Sequence, residues 1–146
     1  MREGGKGEQA GEAAGRPRVM VVEDEYVVSL SLKVQLEAIG CEVVGTADNA
    51  DSAVDMAAQL EPDVVLMDIG LRGKDGVEAI REIMARAPTR IVVVTAYGDE
   101  RLERALKAGA CLVLRKPVLE HQLKDAIEKA IAEPVAESAG TESKGA

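Results

Sequence analysis

The chain has 146 residues, of which 47% are hydrophobic and 30% charged, a balance typical of a soluble globular domain. Its formal net charge of −8 disfavours direct binding to nucleic acid, because an acidic surface and a phosphate backbone repel each other. It has no hydrophobic leader and no apolar run near the ~20 residues of a membrane span, so the sequence predicts no membrane contact and indicates a cytoplasmic location.

The two ends of the chain differ from its centre in composition. Residues 1–17 and 134–146 are rich in Gly, Ala and Glu and lack apolar periodicity, so both are predicted to be disordered tails. Residues 18–133 are then left as one folded domain.

Five short apolar runs follow one another through this central region. Most are continuous rather than alternating, which is typical of parallel strands buried on both faces, and they cover 19–22, 41–45, 64–67, 91–94 and 111–114. Apolar residues at helical spacing separate the runs, and Gly40, Pro62 and Gly109 fall where helices should end. The pattern predicts an α/β fold: a doubly wound, five-stranded parallel sheet with five helices and the flavodoxin-like strand order 2-1-3-4-5.

This topology also predicts the state of the two cysteines. Cys41 and Cys111 begin strands 2 and 5, at opposite edges of the sheet. Four strand spacings of ~4.8 Å would separate them by roughly 19 Å. A disulfide needs Cα atoms within ~7 Å, so both should be free thiols.

Polar residues stand where four of the five predicted strands end. Strand 1 is followed by Glu23 and Asp24, strand 3 ends in Asp68, strand 4 in Thr95, and strand 5 runs into Lys116. The carboxyl ends of neighbouring parallel strands share one edge of the sheet, where ligands bind in such folds. We therefore expect these side chains to converge on a single site.

The combination of residue types at this edge indicates phosphoryl chemistry. Carboxylates ~5 Å apart repel by ~3 kcal/mol per pair at an effective dielectric of about 20, so such a cluster requires a cation or a proton. Oxygen ligands suit Mg²⁺. A carboxylate beside that metal can attack a phosphorus centre, while Lys116 and the Thr95 hydroxyl contact the phosphoryl oxygens. Each of these residues alone has a common structural explanation, as a helix start, a strand end or a surface charge. Only their occurrence together at four strand ends indicates phosphoryl chemistry.

The same residues lie in five stretches that resemble the receiver domain of two-component response regulators. The stretches are VMVVEDE (19–25), DVVLMDIGLRGKDGVEAI (63–80), IVVVTAY (91–97), LKAGA (106–110) and LRKP (114–117). The resemblance extends over about 18–133.

The resemblance implies a role for each residue of the predicted site. Asp68 is the expected phosphoacceptor. Glu23, Asp24, Asp68 and the backbone carbonyl of Gly70 are the expected Mg²⁺ ligands. Thr95 is the expected switch hydroxyl and Lys116 the phosphate-contacting lysine, with a cis Lys116–Pro117 bond.

The resemblance also implies partners. A sensor histidine kinase or a phosphotransfer protein is the expected donor of the phosphoryl group. Only a short tail follows residue 133, so we expect a stand-alone receiver that signals to an unidentified output protein and catalyses no reaction beyond its own phosphorylation and dephosphorylation. That partner, or a second copy in a homodimer, is expected on the face of helix 4, strand 5 and helix 5. This face is locally more basic than the rest of the domain and carries Glu100, Arg101, Arg104, Lys107, His121 and Lys124.

The chain departs from the family pattern at the expected switch. Receivers usually carry an aromatic residue three positions before the lysine, where this chain has Val113. Valine is stiff at χ1 and too small to fill or vacate a ring-sized space. We therefore expect Tyr97, two residues after Thr95, to take over part of that role, or else only to gate water at the site.

Two other functions are compatible with an α/β sheet of this kind. One is an interaction module whose state does not depend on phosphorylation, which Mg²⁺-dependent labelling by a small phosphodonor would distinguish. The other is a flavin- or nucleotide-binding protein, which needs a Gly- or Ser/Thr-rich phosphate loop after strand 1. The acidic residues 23–25 occupy that position instead.

Overall fold

The computed structural model describes residues 15–71, 75–96 and 98–135. Most of both predicted tails, together with Tyr97, lies outside these ranges. Strands and helices alternate through the described chain: β1 Arg18–Val22, α1 Tyr26–Ala38, β2 Glu42–Ala47, α2 Ala50–Leu60, β3 Val64–Asp68, α3 Gly76–Arg86, β4 Arg90–Thr95, α4 Leu102–Ala108, β5 Leu112–Arg115 and α5 Glu120–Ala132.

The five strands form one parallel sheet in the order β2-β1-β3-β4-β5. This confirms the predicted strand order and the doubly wound architecture. The strand order reverses beside β1, so β1 and β3 lie side by side at the centre of the sheet. Their carboxyl ends open onto the switch point where such folds bind ligands.

Helices cover both faces of the sheet, as the continuous apolar runs predict. Strand residues alternate between two cores. Met20 of β1 packs in the core beneath α2, α3 and α4, whereas Val19 and Val21 pack beneath α1 and α5. The central strand β3 is buried along its entire length, including Asp68 at its end. That burial holds the end of β3 in a fixed position.

The segment after β3 is held by a close approach of two backbones. Gly76 begins α3, and a Cβ added there would lie 2.9 Å from the Cα and 3.0 Å from the carbonyl oxygen of Ile69. Asp75 caps the helix, because its Oδ1 accepts a hydrogen bond of 2.9 Å from the Val77 backbone N–H. The start of α3 is thereby packed against the residue that follows Asp68.

Both cysteines are free, and each immediately precedes an edge strand rather than beginning it. Cys41 is buried beside β2, and Cys111 is exposed beside β5. In the described part of the chain, none of the helices has the length and apolar character needed to cross a bilayer.

The contact at Gly76 gives a stability prediction. Gly76→Ala should lower the free energy of unfolding by about 1–3 kcal/mol, because the new methyl group meets rigid backbone. Gly70→Ala is the matched control, since a Cβ there meets only side-chain atoms, the nearest at 3.2 Å. Urea denaturation of both variants measures the difference, and an equal or smaller loss at Gly76 would contradict this account of the packing.

Candidate functional site

Three carboxylates meet at the carboxyl edge of the sheet. Glu23 and Asp24 follow β1 and Asp68 ends β3, and one oxygen of each lies within 4.8 Å of the others. Glu23 and Asp68 are only 2% and 7% exposed, so solvent screens their charges weakly. This is the spacing at which the sequence predicts strong repulsion.

Lys116 supplies the positive charge of the cluster. Its Nζ donates a hydrogen bond of 2.8 Å to Asp68 Oδ2 and lies 3.4 Å from Glu23 Oε1. Partial burial works against the charged ammonium, but the hydrogen bond to Asp68 and the two neighbouring carboxylates outweigh it and raise the pKa of Lys116. The peptide bond to Pro117 is cis, as the family resemblance implies.

Glu23 is incompletely satisfied in this cluster. Its Oε2 accepts a hydrogen bond of 3.2 Å from the Glu25 backbone N–H, but its buried Oε1 accepts none. Burial, followed by the charge of Asp68, raises the pKa of Glu23 from 4.5 to about 7. The cluster therefore favours a proton or a bound cation at this carboxyl group. The three carboxylates form an all-oxygen donor set that fits a small divalent cation such as Mg²⁺.

The backbone fixes the orientation of Asp68. The Gly70 N–H donates a hydrogen bond of 2.7 Å to Asp68 Oδ1, while Oδ2 faces Lys116. Ile69 lies between Asp68 and Gly70 in the chain, and its N–H donates a hydrogen bond of 3.3 Å to the carbonyl oxygen of Val94 on β4. Both carboxylate oxygens of Asp68 are therefore directed by neighbouring donors.

Thr95 reaches the same edge, but its hydroxyl does not bond Asp68. The side chain is fully buried at the end of β4, and Oγ1 donates to the carbonyl oxygen of Ala96 at 3.2 Å. Val113 is half-buried on β5, in register with Val93. The switch role proposed for Tyr97 concerns a residue outside the described ranges.

An acid–base pair that the sequence analysis did not assign to the site also lines the cleft. Asp68 lies in a cavity of about 270 Å³, and Asp99 and Arg101 from the loop between β4 and α4 form part of its wall. From the sequence, Arg101 was expected on the partner-binding face. The charged Asp-Glu-Arg run at 99–101, in the loop that follows the carboxyl end of β4, is the sequence signal that could have indicated the cleft instead.

These features define a receiver domain, and comparison with known proteins agrees. The chain belongs to the response regulator receiver domain family, whose family model matches residues 19–128. Membership confirms the family resemblance on which the sequence analysis relied, and the family serves two-component signalling.

Three similar proteins illustrate the membership. The transcriptional regulatory protein PdtaR of Mycobacterium tuberculosis strain H37Rv is 38% identical over 122 residues, covering 83% of this chain and 60% of PdtaR. The chemotaxis protein CheY of Thermotoga maritima is 36% identical over 114 residues, covering 77% of this chain and 95% of CheY. The signal receiver domain of a modulated diguanylate cyclase from Desulfovibrio desulfuricans G20 superposes with a TM-score of 0.75 at 37% identity, covering 80% of this chain and 94% of that one. The chain thus spans less than two thirds of PdtaR but nearly all of CheY.

The raised pKa of Glu23 predicts a pH dependence of stability. Between pH 4.5 and about 7 the folded chain keeps a proton on Glu23 that the unfolded chain has released. In metal-free buffer, this group therefore makes the free energy of unfolding fall as the pH rises through that window, and its contribution levels off above about pH 7.

Glu23→Gln removes the titrating group and serves as the matched control. The difference in unfolding free energy, wild type minus Glu23→Gln, should decline across the window in EDTA and decline less with Mg²⁺ present. Urea denaturation over a pH series measures it. A difference that is flat, or that rises with pH in EDTA, would contradict the raised pKa.

Proposed function

We propose that this domain accepts a phosphoryl group on Asp68 in a Mg²⁺-dependent reaction and signals through phosphorylation-dependent binding to another protein. The observation that carries the proposal is the environment of Asp68. Its carboxylate ends the central strand, bonds Lys116 at 2.8 Å and shares a cluster with Glu23 and Asp24. Membership in the receiver family supports the same function.

The proposed donor is a phosphohistidine on a sensor kinase or a phosphotransfer protein. An oxygen of Asp68 attacks the phosphorus, the new O–P bond forms, and the P–N bond to the imidazole breaks. The imidazole leaves with the electron pair of that bond and takes up a proton. Lys116 is placed to hold the phosphoryl oxygens as a point charge, and the Gly70 N–H keeps the other carboxylate oxygen oriented.

Glu23, Asp24 and Asp68, with the Gly70 carbonyl, are the residues proposed to hold Mg²⁺. Their fit is supported by the all-oxygen donor set and by the Glu23 oxygen that accepts no hydrogen bond. When bound, the cation neutralises negative charge on the phosphoryl oxygens during transfer. Thr95 is proposed to turn its hydroxyl toward the phosphoryl group, which requires it to give up its bond to Ala96.

An exposed apolar surface beside the cleft supports docking of a protein donor. Tyr26 and Val27 are 77% and 76% exposed at the start of α1, and Leu30 and Val34 continue the same face along the helix. An apolar groove runs from this face to Lys116. Exposed apolar patches on otherwise charged domains are typical of protein-binding sites. A donor protein seated on α1 would place its phosphohistidine near Asp68.

A second surface is proposed for the output partner. Its exposed basic and apolar side chains come from α4 and α5 on either side of β5 and include Arg104, Leu106, Lys107, His121 and Lys124. Arg104 Nη1 lies 3.6 Å from Asp75 Oδ2 and remains half exposed. A partner with an acidic surface suits this face, as does a second copy in a homodimer. The folded unit that carries both surfaces is proposed to be 18–133 and to be located in the cytoplasm.

Asp68→Asn tests the phosphoacceptor directly. With acetyl phosphate and Mg²⁺, the wild type should gain one hydroxylamine-labile phosphoryl group, and Asp68→Asn should gain none because the amide is not a nucleophile. Intact-mass spectrometry measures the addition. Asp55→Asn is the control, since Asp55 is an exposed residue of α2 that pairs with Arg86. Labelling of Asp68→Asn at the wild-type rate would overturn the assignment, and an unlabelled wild type would favour an interaction module that is independent of phosphorylation.

Val27→Asp tests the donor surface. The assay uses a histidine kinase that phosphorylates the wild type. The new carboxylate should slow phosphotransfer from this kinase by about tenfold or more, because a charge at Val27 disrupts an apolar contact. Labelling by acetyl phosphate should not change, because that donor needs no docking surface. Val135→Asp is the control, because it makes the same substitution at an exposed valine, 40% exposed, that lies outside the α1 face. Equal kinase rates for Val27→Asp and wild type would remove α1 from the interface.

A further inference from the structure

Arg101 is held at the mouth of the phosphoacceptor cleft by Asp99. Its Nε and Nη2 donate hydrogen bonds of 3.0 and 2.9 Å to the two carboxylate oxygens of Asp99, and its backbone N–H donates a third, of 2.9 Å, to Asp99 Oδ1. The Asp99 side chain is only 11% exposed. A bidentate pair with one partner largely shielded from solvent fixes the direction of the guanidinium better than a fully exposed ion pair does.

That direction brings the guanidinium over Asp68. A Cβ built on Gly70 would lie 3.6 Å from Arg101 Nη2 and 3.2 Å from Asp68 Oδ1, so both atoms border the small volume that glycine leaves open. The hydrogen bond to Asp99 is the main cause that raises the pKa of Arg101, and the charge of Asp68 contributes to it. Arg101 is therefore coupled electrostatically to the proposed phosphoacceptor without bonding it.

Asp99 also lies near the hydroxyl that is proposed to switch. The hydrogen bonds from Arg101 are the largest cause that lowers the pKa of Asp99, and the nearby Thr95 side chain adds to the effect. The Thr95 hydroxyl itself donates to the Ala96 carbonyl oxygen, so the guanidinium is the group that Asp99 holds at the cleft.

We propose that Arg101 is a phosphoryl-contacting residue, and that Asp99 binds the Arg101 guanidinium beside the cleft until Asp68 is phosphorylated. The inference rests on the proposed function of Asp68. A phosphoryl group carries about two negative charges and three acceptor oxygens, so it competes with a singly charged carboxylate for a planar guanidinium. No covalent bond changes in this step. The guanidinium exchanges hydrogen bonds to Asp99 for hydrogen bonds to phosphoryl oxygens across the open position at Gly70.

Beryllofluoride, a stable mimic of the phosphoryl group, tests this contact on the full chain. Its affinity in saturating Mg²⁺ can be measured by ¹⁹F NMR for wild type, Arg101→Gln and Arg101→Lys. Arg101→Gln should bind beryllofluoride at least about tenfold more weakly, the loss expected for charge-assisted hydrogen bonds. Arg101→Lys should fall between the two, because it keeps the charge and loses the planar fork.

Two controls separate a lost contact from a damaged fold. Affinity for Mg²⁺ alone should not weaken in Arg101→Gln, because removing a cation near three carboxylates cannot reduce their attraction for a metal. Arg86→Gln removes an exposed guanidinium that pairs with Asp55 at the end of α3, and it should leave beryllofluoride affinity unchanged. In the wild type, the Arg101 Nε–Hε resonance, identified by its absence from Arg101→Lys, should shift on saturation with beryllofluoride.

A double-mutant cycle tests whether Asp99 competes with the phosphoryl group for the Arg101 guanidinium. Asp99→Asn should strengthen beryllofluoride binding in the wild-type background and have a smaller effect in the Arg101→Gln background, because its influence acts through Arg101. Equal affinity of wild type and Arg101→Gln, or an unshifted Arg101 resonance, would overturn this inference while leaving Asp68 as phosphoacceptor. Absence of any beryllofluoride uptake by the wild type would overturn the proposed function and this inference together.

Discussion

Charge balance around Asp68 is the constraint on which the site depends. Three carboxylates share a region only 4.8 Å across, and two of them are almost completely buried. The ammonium of Lys116 offsets part of their repulsion. Among the described residues the three carboxylates still outnumber this ammonium, so the site favours a further positive charge, whether a proton on Glu23, a divalent cation or the nearby guanidinium of Arg101. The proposed reaction adds still more negative charge at the same point, so it requires the cation.

The parallel sheet holds this unfavourable arrangement in place. Burial of β1 and β3 on both faces fixes the positions from which Glu23 and Asp68 project. The contact of Gly76 with the Ile69 backbone holds the segment beyond Asp68, and the cap by Asp75 orients the helix that follows. The favourable free energy of burying the two apolar cores thereby offsets the repulsion between the carboxylates, as is common at functional sites.

The sequence predicted the architecture because burial on both faces leaves a clear signature in short continuous runs. The sequence also predicted that Glu23, Asp68 and Lys116 lie together, since the carboxyl ends of neighbouring parallel strands share an edge regardless of loop conformation. Strand bounds differed by one or two residues, as when Cys41 and Cys111 proved to precede their strands. These differences do not move any residue to another edge of the sheet.

What the sequence did not predict is how side chains in the loops are directed. Arg101 was placed on an outer face, yet its pairing with Asp99 turns it toward the cleft, and this depends on backbone angles between β4 and α4 that no periodicity encodes. The Thr95 hydroxyl likewise bonds Ala96 rather than the cluster. The switch role assigned to Tyr97 and Val113 stays a prediction, since it concerns a change between two states.

Calorimetric titration of the wild type and of Asp24→Asn with Mg²⁺ tests most directly whether this cluster is a cation site. The wild type should bind one Mg²⁺, and Asp24→Asn should bind it at least about tenfold more weakly, because a carboxylate ligand becomes a neutral amide. Equal affinity in the two proteins, or no binding by the wild type, would contradict the assignment of the cluster as a cation site.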